Sequence, residues 1–135
     1  MVTGASSGLG EAFARRLAES GHDLVLVARR ASKLKLLAGQ LSAAPGSSVS
    51  VVTADLSTAP GIQKVVRAIG RLPRLDVLVN NAGFGSRGSF AGTPVDGAGS
   101  MLSVHCTAVV RLTHAALLKM MPAHLFCQTD SYVLQ

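Results

Sequence analysis

The stretch TGASSGLG at residues 3–10 decides how the rest of the chain is read. Glycines at positions 4, 8 and 10 let the backbone turn tightly and bring bare N–H groups close to an anion. A helix starting near Gly8 would add its positive N-terminal end, so a pyrophosphate is the natural guest. The P-loop alternative fails, because no lysine follows the last glycine. Loops of this kind normally follow a buried strand, and only Met1 and Val2 precede this one.

Outward from the loop, helix and strand patterns alternate. Residues 8–20 carry helical spacing at Leu9, Ala12, Phe13, Arg16 and Leu17, with Gly21 suited to the C-terminal cap. DLVLVA (23–28) is a short continuous apolar run, as expected of a strand buried on both faces. Residues 32–41 return to helix, PGSS (45–48) to loop and 50–54 to strand. Pro60 fits the first turn of a helix reaching about Arg71. LDVLV (75–79) is the next strand and runs into NNAG (80–83). Residues 95–121 read as one long helix, frayed at Gly97 and Gly99, with a seam through Leu102, His105, Val109, Leu112 and Ala116. Such alternation predicts an α/β fold with a parallel sheet and right-handed crossovers. Ligands of such sheets sit beyond the carboxyl ends of the strands, near the topological switch point.

The polar motifs fall at those ends. A dinucleotide fold that prefers NAD usually places an Asp or Glu after its second strand, to hold the ribose 2′-hydroxyl. This chain has Arg29 and Arg30 there, and Asp23 stands at the wrong end of the strand. Two arginines could grip a 2′-phosphate with charge-assisted bonds, which favours NADP(H) over NAD; a basic loop facing water is the alternative. Asp55 and Leu56 follow the third strand, where a short carboxylate can accept from an adenine amino group. After the fourth strand, paired asparagines at 80 and 81 can tie strand ends together, while Ala82 and Gly83 leave room for a flat ligand.

In this order and spacing, TGASSGLG, Arg29-Arg30, Asp55-Leu56 and NNAG resemble the short-chain dehydrogenase/reductase family, over about residues 2–121. The resemblance implies a Rossmann-type, doubly wound parallel sheet and hydride transfer between NAD(P)(H) and an alcohol or carbonyl. It assigns Gly4, Ser6, Ser7, Gly8, Leu9 and Gly10 to the pyrophosphate and adjacent ribose. Asp55 and Leu56 would border the adenine, and Asn81, Ala82 and Gly83 the cofactor's ribose. A small carbonyl or alcohol substrate is expected only in a full-length relative, and the resemblance leaves an oligomer open.

Three departures shape the expectation. The first strand is nearly absent, which would leave a gap between its neighbours at the centre of the sheet. The family's catalytic Ser and Tyr-x-x-x-Lys are missing. Tyr132 lies three residues from the end, Ser131 adjoins it, and neither takes a catalytic role. Where the family has an Asn on the inward seam of the long helix, this chain has His105, read as a buried-seam polar residue seeking a backbone or cofactor partner. His114 falls off that seam onto the surface. In the tail AHLFCQTDSYVLQ, LFC followed by QTD is a poor strand. The expected organisation is therefore a partial NAD(P)-binding domain over 1–121 and a divergent tail over 122–135, a gene fragment or frameshift that does not turn over alone. A non-catalytic dinucleotide-binding or partner-pairing module is the other reading.

Composition narrows the class. The 135 residues are 48% hydrophobic and 15% charged, which suits one core-forming domain. Its two cysteines make neither a disulfide framework nor a metal site, and Cys106 is expected to be buried. No apolar stretch approaches membrane-spanning length and no secretory signal precedes the loop, so a cytoplasmic location is expected. The net charge of +6 is scattered, and with four Phe, one Tyr and no Trp a nucleic-acid partner is not expected.

Overall fold

The computed structural model describes residues 1–42, 47–86, 88–92, 94–120 and 125–128, with the backbone only for residues 90 and 125–128. Five strands make one parallel sheet: β1 (Val2–Thr3), β2 (Leu24–Ala28), β3 (Val49–Thr53), β4 (Val77–Asn80) and β5 (Leu125–Gln128). Their order is β3-β2-β1-β4-β5, so the chain winds outward one way and then the other from β1. That reversal makes the sheet doubly wound and Rossmann-type, with its switch point between β1 and β4. Helices α1 (Gly8–Glu19), α2 (Ala31–Leu41) and α3 (Ala59–Arg71) link the strands. A 3₁₀ turn at Phe90–Gly92 precedes α4 (Val95–Leu102), a π turn (Ser103–Ala108) and α5 (Val109–Leu117).

Strand alternation sorts the core into two layers. Leu24, Leu26 and Ala28 of β2, with Val77 and Val79 of β4, pack on one face with Ala14, Ala18, Leu34 and Leu37 from α1 and α2. Val27 and Leu78 point the other way, onto Ile62, Val65 and Ile69 of α3 and Leu112 and Ala116 of α5. Each fully buried Leu or Ile contributes roughly 1.5–3 kcal/mol through lost apolar exposure. Both faces are covered, which explains the uninterrupted apolar strands. Thr58 caps α3 by accepting from the Gly61 N–H at 3.2 Å, and Pro60 sits in the first turn. No helix among the described residues is long and apolar enough to cross a membrane.

Short as it is, β1 bridges its neighbours. Val2 pairs with both Leu26 and Val79, and Thr3 with Val27. The Met1 amine extends the ladder by donating to the Val77 carbonyl at 2.7 Å, while the Met1 carbonyl accepts from the Val79 N–H at 2.9 Å. The expected gap is thus closed at Val2 and Thr3. Beyond Met1 a cavity of about 550 Å³ remains between Leu24–Val25 on one side and Leu75–Val77 on the other.

Three further expectations are corrected. The segment LFCQ, read as a poor strand, forms β5 and pairs in register with the whole of β4, Val77 opposite Leu125 through Asn80 opposite Gln128. The free edge of β4 supplies the pairing that four residues could not advertise locally. In the long helix, the buried seam is Val104, Ala108, Leu112 and Ala116, and Leu102 is exposed. The π turn supplies the reason: its wider winding displaces the residues before it from the α-helical spacing of those after it. For the same reason Cys106 is exposed instead of buried. His114 is exposed, as expected. The predicted end of this helix at Met121, the loop at residues 45 and 46, Ser131 and Tyr132 lie outside the described residues.

Candidate functional site

The β1–α1 loop is held by one buried hydroxyl. Thr3 Oγ1 donates to the Val79 carbonyl at 3.2 Å and accepts from the Asn81 and Ala82 N–H groups, each at 3.0 Å. A threonine hydroxyl has one hydrogen and two lone pairs, so these three bonds use all of it. Asn81 Nδ2 adds a bond to the Thr3 carbonyl at 3.2 Å, and Asn80 Nδ2 reaches Thr113 Oγ1 of α5 at the same distance. The paired asparagines therefore tie strand ends together, one toward β1 and one toward the helix layer.

This close approach leaves no room for a side chain at Gly4 or Gly10. Gly4 has φ +67°, and a Cβ there would stand 2.7 Å from Asn81 Nδ2. A Cβ on Gly10 would fall onto the Gly4 carbonyl and the Asn81 carboxamide. Gly8 opens α1 and faces open space. The N-cap residue Ser7 makes no side-chain cap bond to α1. Its hydroxyl instead accepts from Arg30 Nη2 at 2.7 Å, leaving the first-turn N–H groups available to an anion.

Arg30 spans the loop. Its Nη2 also reaches Ser6 Oγ at 3.0 Å and the Ser6 carbonyl at 3.4 Å, with Nε 3.3 Å from Ser6 Oγ. Arg29 leaves the same strand end, and its charge acts on Asp55. Burial raises the Asp55 pKa, but bonds from the Ser57 N–H (2.9 Å) and hydroxyl (2.7 Å), and then the Arg29 charge, outweigh it. The carboxylate is held below its usual range and stays ionised at neutral pH. Asp23 lies at the opposite end of β2, where it accepts from the Ser48 N–H.

These residues enclose a cavity of about 350 Å³ at the carboxyl edge of the sheet. Gly4, Ser6, Ser7 and Leu9 line it from the loop, and Arg29 and Arg30 from the end of β2. Asp55 and Leu56 line it from the end of β3, and Asn81, Ala82 and Gly83 from the end of β4. Gly8 and Gly10 stand back from it. Leu9 is 63% exposed because it faces this cavity and not the core. The sequence reading missed Val27, Ala28, Ala54, Phe84 and Val104, which also line it. Their only signal was position: Val27, Ala28 and Ala54 lie at or next to a strand end, Phe84 follows the NNAG stretch and Val104 is on the long helix. Thr3 was missed as an organiser because a threonine ending a strand is unremarkable locally. Positive charge, bare N–H groups and an apolar slot fit an elongated anion with flat rings, and the dimensions suit a ligand of that class.

His105 finds a backbone partner, as its position suggested. Its Nε2 lies 2.9 Å from the Phe84 carbonyl oxygen and 3.3 Å from the Phe84 nitrogen.

Known proteins share this arrangement. The family described as short chain dehydrogenase matches residues 1–125. A plant 11-beta-hydroxysteroid dehydrogenase A from Sesamum indicum is 46% identical over 84 residues, covering 62% of this chain and 24% of the relative. Nodulation protein G from Rhizobium sp. is 39% identical over 118 residues, covering 84% of this chain and 45% of its own length. Among solved structures, a short-chain dehydrogenase from Sphingobium yanoikuyae in complex with NADPH superposes with a TM-score of 0.90 at 33% identity, covering 97% of this chain and 52% of that one. The chain thus spans about half, or less, of the length of the relatives it matches. With sheet order, glycine loop and strand-end motifs in that arrangement, the chain belongs to the short-chain dehydrogenase family.

Proposed function

We propose that the chain is the cofactor-binding portion of an NADP(H)-dependent oxidoreductase, of the kind that transfers hydride between a nicotinamide and an alcohol or carbonyl group. NADP(H), when bound, supplies the hydride carrier. The chain's own residues bind it and orient it. The first-turn N–H groups of α1 would hold the pyrophosphate, Asp55 and Leu56 the adenine, and residues 81–83 a ribose. The observation that carries the cofactor choice is Arg30, poised with Ser6 and Ser7 at the end of β2, where an NAD-preferring site keeps a carboxylate. The NADPH bound by the Sphingobium relative supports the same choice. The 135 residues carry no Tyr-x-x-x-Lys to move a proton, and on this reading they bind nucleotide without turning over substrate.

The test is a titration with NADPH and NADH, read by thermal shift and by nucleotide fluorescence. The purified chain is expected to bind NADPH more tightly. Arg30→Ala should weaken NADPH binding by about 10- to 100-fold, the size of a lost charge-assisted bond, and NADH binding far less. Equal losses for the two nucleotides, or no preference in the unaltered chain, would count against NADP(H). Measurable carbonyl reduction would overturn the claim of no turnover.

A further inference from the structure

The segment after β4 runs without regular structure along the cavity wall, and it is held at both ends. Thr3 Oγ1 fixes its start through the Asn81 and Ala82 N–H groups. Three residues on, Phe84 lines the cavity and meets His105 from the π turn. The two rings lie tilted at 49° with centroids 6.4 Å apart. Val104, next to His105 in the same π turn, lines the cavity beside Phe84. One irregular turn of the long helix thus supplies both a wall residue and the bond that holds its neighbour. π turns are uncommon and tend to be kept where a helix must aim side chains that α spacing cannot.

A single imidazole nitrogen cannot serve both Phe84 groups at once. Protonated, Nε2 donates to the carbonyl; unprotonated, it accepts from the N–H. The shorter contact, 2.9 Å to the carbonyl, selects the form with hydrogen on Nε2. We propose that His105 is a positioning residue: it latches Phe84 through the backbone and so fixes the wall formed by residues 82–84. Its effect on ligand affinity rests on the dinucleotide reading, but the latch itself does not.

The experiment compares the unaltered 135-residue chain with His105→Phe, which keeps a ring and removes the nitrogens, and His105→Gln. A glutamine carboxamide reaches about as far as Nε2 and offers a donor and an acceptor together. Backbone amide exchange over residues 82–86 is expected to be slow in the unaltered and Gln chains and ~3- to 10-fold faster in the Phe chain, the loss of one net hydrogen bond. NADPH affinity should fall by a similar factor in the Phe chain and return in the Gln chain. Equal exchange in all three overturns the latch. Faster exchange in the Phe chain, with no nucleotide bound by any of the three, keeps the latch and overturns the dinucleotide reading. Should the Phe chain not fold, the imidazole nitrogen spectrum of the unaltered chain decides: an Nε2 that carries no hydrogen bond to either Phe84 backbone group, in whichever tautomer, overturns the proposal.

Discussion

Thr3 shows how much organisation one hydroxyl can carry. Replacing it with the near-isosteric valine would leave the Asn81 and Ala82 N–H groups without their acceptor in a buried place. Each stranded donor costs on the order of 1–3 kcal/mol, so Thr3→Val should destabilise the chain by about 2–6 kcal/mol, measured by urea denaturation. A loss under about 0.5 kcal/mol would mean that water or a shifted backbone replaces the hydroxyl. The asparagines were legible only in company: singly each reads as an ordinary turn residue, and their place after the fourth strand, in order with the other motifs, gave them a tying role. Thr3 was not, since its role depends on a partner segment 78 residues away. The glycines at 4 and 10 were readable as a tight loop, but that they clear space for Asn81 rather than only for a ligand needed the fold.

Along the long helix, the π turn sets which residues meet the core. Period reading assumes an unbroken 3.6-residue repeat, and one wide turn defeats it. Past the turn the reading held at Leu112 and Ala116; before it, Leu102 proved to be 62% exposed. The two leucines therefore make a test of register. Leu112→Ala should cost about 2–5 kcal/mol, as a buried truncation does, and Leu102→Ala within about 0.5 kcal/mol. Comparable losses at both would place the seam where the unbroken repeat had it. Other elements were legible nearly to the residue, because their ends carry local chemistry: Pro60 marks the first turn of α3, and Gly21 with φ +78° ends α1. By contrast, β5 is four residues whose strand character comes from the edge of β4, and no local pattern records an edge.

For the molecule as a whole, the sheet gathers loops from residues 4 to 84 into one cleft, with β1 at its centre. That centre makes stability depend on pH. Burial, partly offset by the Asp76 charge, lowers the Met1 amine from 8.0 to about 6 in the folded chain. Between those values the unfolded chain takes up a proton that the folded one refuses, so stability rises with pH across this window. Two pKa units correspond to roughly 2–3 kcal/mol. The 135-residue chain should therefore melt several degrees higher at pH 8 than at pH 6, and acetylating Met1 should remove that difference. An unchanged dependence after acetylation would mean that the Met1 amine is not its source. The same ladder bonds bear on how the protein is handled at the bench. A purification tag joined at Met1 would not trail into solvent, because its last residues would continue β1 between Leu24 and Val77. An apolar linker there becomes a splint, whereas a proline or a charged linker becomes a wedge driven into the middle of the sheet.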